Sequence, residues 1–104
     1  MASRYSITYS RRAQLELDAI HAYIAEQFED EITADLQTER IAQAAKTLVM
    51  FPKLYRVRRK NAKGQELRYM PVDNFMIIYH VDDSKNIVKV LHIVYGRCNI
   101  DSLI

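Results

Sequence analysis

Apolar and polar side chains alternate near the start of the chain, over Arg4–Ser10. One side of an extended chain would carry Tyr5, Ile7 and Tyr9. A period of two, in a segment rich in β-favouring residues, predicts a half-buried strand. Ser10 then suits the N-cap of a helix, because its hydroxyl can accept a hydrogen bond from a free backbone N–H group.

After Ser10 the apolar residues recur every three or four positions, which is typical of a helix that buries one face. The first such set ends near Glu29 and consists of Ala13, Leu17, Ile20, Ile24 and Phe28. The second set begins after an N-cap at Asp30 or Thr33, ends near Met50, and consists of Leu36, Ile41, Ala44, Ala45 and Leu48. No glycine or proline separates the two sets, so the pattern fits either a tight helical hairpin or one long kinked helix.

Pro52 ends the helical half, and three apolar segments complete the chain after a basic stretch. The predicted strands are Leu67–Val72, Phe75–Val81 and Ile87–Tyr95. Short turns join them, so sequential strands should be antiparallel neighbours. The predicted element order is therefore β-α-α-β-β-β.

The last two predicted strands are apolar on both faces, as central strands covered on both sides usually are. The helices can cover one face of the sheet. The other face must be covered by something else or stay exposed, and an exposed apolar patch on a small protein usually marks an interface. A protein partner is therefore indicated by the pattern alone.

The length of 104 residues fits one domain spanning residues 1–104. A single cysteine excludes an internal disulfide and suits a reducing cytoplasm, which is the predicted location. The sequence shows neither the apolar core of a signal peptide nor a run of about 18 apolar residues that could span a membrane.

Charge is unevenly distributed between the two halves of the chain. Residues 1–50 hold five basic and eight acidic side chains, whereas residues 51–104 hold ten basic and five acidic ones. This asymmetry indicates either a basic face directed at a polyanion or chance placement on a solvated surface.

No arrangement of histidine and cysteine predicts a metal site, because paired ligand spacings are missing. His92 and Cys98 cannot form a catalytic pair on an extended strand, since six residues span about 20 Å.

The cationic side chains form the better candidate site, because guanidinium groups bind phosphates in forked geometry. Arg68 opens the first of the three late strands, and Arg97 follows the last one. The segment before these strands is predicted to be a loop that binds nucleic acid or another target through Arg58, Arg59, Lys60 and Lys63. The alternative is an ordinary solvated loop. Further candidates for base stacking or proton transfer are Tyr69, Tyr79 and Tyr95.

The element order, together with "VDNFMIIYHVDD" and "VLHIVYGRCNI", resembles the RelE/ParE superfamily of toxins from type II toxin–antitoxin systems. The resemblance covers nearly the whole chain. It implies an α+β domain in which an antiparallel sheet packs against an N-terminal helical hairpin. It also implies a cognate antitoxin that wraps the toxin, and no cofactor.

Two targets are open within this superfamily. RelE-like members cut mRNA on the ribosome without a metal, and ParE-like members poison DNA gyrase. The resemblance makes Arg97 and Arg68 the catalytic cations if the chain is a RelE-like ribonuclease. Tyr95 is then our candidate for the general acid or base. RelE-like cleavage is the first expectation, gyrase poisoning the second, and an inactive member that only binds its partner the third.

The chain departs from the superfamily pattern at two places. Cys98 and Asn99 stand where many relatives carry a second arginine and an aspartate. The tail "NIDSLI" also lacks the tyrosine or histidine that RelE-like enzymes often place after the last strand. Both departures concern the residues that the ribonuclease reaction would need.

Overall fold

A computed structural model describes residues 4–103 of the chain, which form a five-stranded sheet with two helices on one face. The strands are β1 (Ser6–Tyr9), β2 (Val57–Lys60), β3 (Glu66–Val72), β4 (Phe75–Asp82) and β5 (Ile87–Tyr95). The helices are α1 (Arg11–Phe28) and α2 (Glu31–Lys46), and single 3₁₀ turns lie at Thr47–Val49 and Ile100–Leu103. The predicted α+β class is confirmed.

The two helices form a tight hairpin, and the alternative of one kinked helix is wrong. Glu29 adopts a left-handed conformation with φ of 50°, which ends α1, and Asp30 then caps α2 by accepting a hydrogen bond from the Ile32 N–H group. Ser10 caps α1 by accepting from the Ala13 N–H group at 3.0 Å. Its hydroxyl also donates to the Leu91 carbonyl at 2.9 Å, so the same side chain ties α1 to the sheet.

The strand order across the sheet is β1-β5-β4-β3-β2. Strands β2 to β5 form antiparallel pairs, as predicted for the last three. β1, however, pairs in parallel with β5, so the sheet is mixed and not wholly antiparallel. Local turns could not reveal this pairing, because β1 and β5 lie at opposite ends of the sequence.

Strand β2 corrects the prediction that the basic segment is a loop. Arg58, Arg59 and Lys60 lie within β2, at the edge of the sheet, and only Lys63 lies in the turn that follows. An edge strand is half-exposed and tolerates charged side chains, which also hinder pairing with other chains. Three of the four residues of β2 are cationic, so the period-two apolar signal is missing.

Central strand β4 is buried on both faces, as the sequence predicts. Ile77 faces the helices and Ile78 faces away from them, and both are fully buried. The helix-facing core also includes Ala13, Ile41, Ala45, Leu48, Met70, Tyr79, Val88, Val90 and Ile93. The second face is built from Leu67, Tyr69 and Ile78, with Met76, Leu91, Val94 and Ile100 packed against them. The chain's own last turn therefore covers part of the face for which a partner was predicted.

Strand β5 contains a bulge where the first turns of α1 run along its edge. Ile78 pairs with His92 and Tyr79 pairs with Val90, which leaves Leu91 as the extra residue. The Glu16 carboxylate of α1 accepts a hydrogen bond from the Ile93 N–H group at 3.1 Å. It also lies 3.3 Å from Nδ1 of His92. This histidine therefore contacts α1, consistent with its predicted separation from Cys98.

Neither helix within residues 4–103 is long and apolar enough to cross a membrane.

Candidate functional site

Arg68 has a structural contact on the helix-facing side of the sheet. It pairs in register with Tyr79, which belongs to the helix-facing core. Its Nη1 atom donates a 2.6 Å hydrogen bond to the carbonyl oxygen of Tyr55, in the segment that leads into β2. This hydrogen bond ties the guanidinium group of Arg68 to the segment that leads into β2.

Tyr79 is fully buried beside Arg68 and is not available to a substrate. Its hydroxyl has no hydrogen-bond partner within residues 4–103, and the Tyr69 hydroxyl on the second face is likewise unpaired. Burial raises the pKa of Tyr79. Tyr79 is therefore a neutral core residue, and its predicted role in stacking or proton transfer is not supported.

Tyr95 lies at the other end of the sheet from Arg68. Its ring packs edge-on against Phe75 with 6.0 Å between the centroids, and 47% of the residue is exposed. Tyr95 pairs with Phe75, whereas Arg68 pairs with Tyr79 four residues further along β4. At 3.3 Å per residue these positions are about 13 Å apart.

Arg97 stands at the rim of the sheet, just past a close backbone approach. The Gly96 N–H group donates to the Asn74 carbonyl oxygen at 2.8 Å. A Cβ atom at Gly96 would lie only 3.2 Å from that same oxygen, so glycine is the residue that fits here. Arg97 follows as an exposed side chain with no ion pair or side-chain hydrogen bond to any residue that the structure describes.

Two basic residues of β2, Arg58 and Arg59, lie beside the second face. The Arg58 guanidinium lies 5.0 Å from the centroid of the Tyr69 ring, which is a cation–π distance. Arg59 Nη1 donates to Asp101 Oδ1 at 2.7 Å and so holds the last turn against the sheet edge. Lys60 and Lys63 are exposed. The structure thus brings Arg58 and Arg59 to one face, but it does not bring them together with Arg68 or Tyr95.

The structure also contains an apolar groove of about 960 Å³ that the sequence analysis did not identify. It lies between the helical hairpin and one end of the sheet, and it is lined by Ala19, Ile20, Tyr23, Ile24, Phe28, Thr33, Leu36, Gln37, Arg40, Asn74, Phe75 and Tyr95. Three of the apolar side chains in this lining are more than half exposed: Tyr23 at 66%, Phe28 at 63% and Leu36 at 59%. The available signal was Tyr23, which flanks the apolar stripe of α1 and makes it wider than the core requires.

A charged clamp closes one rim of this groove. Arg40 donates two hydrogen bonds to the Asp73 carboxylate, both 2.8 Å long, and Gln37 donates a third at 3.0 Å. These hydrogen bonds lower the pKa of Asp73 to about 2, and those from Arg40 have the largest effect. The turn between β3 and β4 is thereby tied to α2.

Arg40→Gln is expected to raise the pKa of Asp73 from about 2 toward its ordinary value of 3.8, because the strongest donor is lost. A pKa lowered by folding contributes stability above the unfolded value, and this contribution is lost as the pH falls from about 4 toward 2. The carboxyl ¹³C chemical shift of Asp73, followed against pH, measures the change. Gln37→Ala is the matched control and should raise the pKa less. An unchanged pKa in Arg40→Gln would show that the clamp does not form.

Comparisons with known proteins agree on one family of folds. The family model described as ParE toxin of type II toxin–antitoxin system, parDE, matches residues 7–99. A search of curated proteins gave no match. Among solved structures, the chromosomal ParDE system from P. aeruginosa contains a chain that is similar with a TM-score of 0.73 and 19% identity, covering 88% of this chain and 96% of that one.

Two further similar structures contain RelE-type chains. The RelBE2 toxin–antitoxin complex from Mycobacterium tuberculosis gives a TM-score of 0.61 at 15% identity, covering 89% of this chain and 99% of the other. The RelE–RelB complex from Pyrococcus horikoshii gives 0.63 at 12% identity, covering 91% and 98%. At such identities the likeness shows a shared fold. Because the family model spans residues 7–99 of 104, the chain belongs to the family of ParE toxins of type II toxin–antitoxin systems.

Proposed function

We propose that this toxin arrests growth by binding DNA gyrase and does not cut RNA. The observation that carries the proposal is the dispersal of the predicted catalytic residues. Arg68 is bonded to the Tyr55 carbonyl, Tyr95 packs on Phe75 at the opposite end of the sheet, and Arg97 is exposed beyond it. RNA cleavage needs an acid, a base and a cation within hydrogen-bond reach of one phosphate.

Gyrase poisoning requires binding only, so no proton-transfer geometry is needed. The family model that matches the chain is that of the ParE toxin, and this also favours the ParE-like expectation over the RelE-like one. On this proposal the cations of β2 and Arg97 are surface contacts to the target and perform no chemistry.

The antitoxin is proposed to cover the apolar groove between the hairpin and the sheet. The similar solved structures are toxin–antitoxin complexes, so an antitoxin is the natural occupant. The exposed Tyr23, Phe28 and Leu36 offer apolar anchors of the kind that carry most of the energy of an interface. An apolar segment of the antitoxin chain would bury them.

The proposal is tested by inducing the chain without an antitoxin. Growth arrest, induction of the DNA-damage response and trapped gyrase–DNA complexes are expected, and purified full-length chain should inhibit supercoiling by purified gyrase. Primer extension on mRNA from the induced cells should show no codon-phased cuts.

Two results would contradict the proposal in different ways. Codon-phased cuts that disappear in Arg97→Ala would establish the RelE-like reaction. Normal growth of the induced culture, with the folded chain present in the cells, would leave the inactive binding-only member as the remaining expectation.

A further inference from the structure

We propose that the hairpin of α1 and α2 carries a binding site for one divalent transition-metal ion of the Zn²⁺ type, formed by His21, Glu31 and Asp35. Nε2 of His21 lies 2.7 Å from Oδ1 of Asp35 and 3.8 Å from Oε2 of Glu31. One ligand atom from each of the three residues lies within 4.8 Å of the other two. The sequence did not reveal this group, because the hairpin brings His21 from α1 to two residues of α2.

The spacing and the chemistry of the three donors fit such an ion. Zn²⁺ binds histidine nitrogen and carboxylate oxygen at about 2.0–2.1 Å in tetrahedral geometry, which places neighbouring donors about 3.3 Å apart. The 2.7 Å contact between His21 and Asp35, which is a hydrogen bond, and the 3.8 Å separation of His21 and Glu31 bracket that value. Three protein ligands leave at least one coordination position for water.

The backbone fixes the positions from which these ligands project. Glu31 and Asp35 stand one turn apart at the start of α2, and so they share one side of that helix. Asp30 caps the same helix end, and Glu29 closes α1 in a left-handed conformation, so the link between the helices is short and defined. The hairpin therefore fixes the backbone positions of the ligands, while the side chains of Glu31 and Asp35 are 79% and 68% exposed and can adjust to an ion.

The charges around the two carboxylates also favour a cation. Within residues 4–103, the only cationic or potentially cationic partner within 4.0 Å of either carboxylate is His21. In contrast, the carboxylates of Asp73, Asp83 and Asp101 each pair with a lysine or an arginine. A divalent cation would balance the two negative charges of Glu31 and Asp35.

Protons and the metal compete for the same atoms, since His21 binds an ion only when neutral. Protonated His21 would form an ion pair with Asp35 and Glu31, the groups that face it from α2. The metal would cross-link the two helices that line the apolar groove. It would stabilise the hairpin next to that groove without entering it, because none of the three ligands lines the groove.

The test uses the untagged full-length chain with Cys98→Ser, so that neither a tag nor the exposed thiol binds metal. Titration with Zn²⁺ at pH 7.5 is expected to give one site by calorimetry. Excess Zn²⁺ should raise the Tm by about 5 °C or more. Co²⁺ should give visible ligand-field absorption and perturb the NMR signals of His21 much more strongly than those of His80 or His92.

Substitutions at the site and matched controls separate it from adventitious binding. His21→Ala and Asp35→Asn are each expected to weaken Zn²⁺ binding about tenfold or more. His80→Ala and Glu39→Gln, which remove a histidine on β4 and an equal charge on α2, should leave the affinity within about twofold. Zn²⁺ binding that survives His21→Ala would overturn the proposal, as would the lack of any Tm shift. If a variant fails to fold, Co²⁺ perturbation of His80 or His92 in place of His21 overturns it equally.

Discussion

Leu36→Asp is expected to weaken binding of the antitoxin by roughly 30-fold to 1,000-fold, the effect of losing about 2–4 kcal/mol at an interface anchor. Leu36 is 59% exposed in the free chain and lines the apolar groove beside Tyr23 and Phe28. The variant places a carboxylate where the proposed partner must bury apolar surface, and burying an unpaired charge is costly. Calorimetry with the purified cognate antitoxin measures the loss.

Ile32→Asp is the matched control, because Ile32 is 69% exposed on the same helix but is not part of the groove lining. It stands in the first turn of α2, where a negative charge is favourable, so the fold should tolerate the change. Both variants should remain toxic without the antitoxin. Equal binding of the antitoxin to wild type and Leu36→Asp would show that the partner occupies a different surface.

Ile77→Ala and Ile78→Ala are each expected to lower the free energy of unfolding by about 3 kcal/mol. The two residues are neighbours on β4, they point to opposite faces of the sheet, and both are fully buried. Ile77 loses contacts to the helix-facing core. Ile78 loses contacts to Leu67 and Tyr69, on the face that the last turn covers with Ile100. Similar losses at adjacent positions are the signature of a strand buried on both sides.

Urea denaturation measures both values through the midpoint, with the m-value unchanged. Leu15→Ala is the control, since Leu15 is 53% exposed on α1 and its replacement should change stability by no more than about 0.5 kcal/mol. A loss below about 1 kcal/mol for Ile78→Ala alone would show that the second face is open to solvent.

Strongly periodic segments made most of the fold predictable. The predicted strand Ile87–Tyr95 has the observed bounds, and Asp30 is the cap of α2. The predicted end of α2 near Met50 lies beyond Lys46, because the chain tightens into a 3₁₀ turn at Thr47–Val49. Strand β2 was not predicted, because it has no apolar pattern. It is a strand because its backbone forms hydrogen bonds with β3.

The candidate site was less predictable than the fold, because the direction of a strand's side chains depends on the register in which the strand pairs. A shift of one residue moves a strand's side chains to the other face of the sheet. Arg68 pairs with Tyr79 and therefore faces the helices. No local sequence pattern predicts this pairing. The His21–Asp35 contact joins the two helices, and the groove lies between both helices and the sheet. Predicting either one requires the geometry of the hairpin and not only its existence.

The parallel pairing of β1 with β5 imposes an order on folding. Ser6, near the start of the chain, finds its partner only at Ile87, in the last strand. The hairpin of α1 and α2 is built from local contacts and can form early, whereas the sheet edge must wait for nearly the whole chain and for closure of a long loop. During synthesis the groove-lining helices therefore emerge from the ribosome well before the sheet can be completed. A partner that recognises the hairpin could reach this chain before its fold is finished.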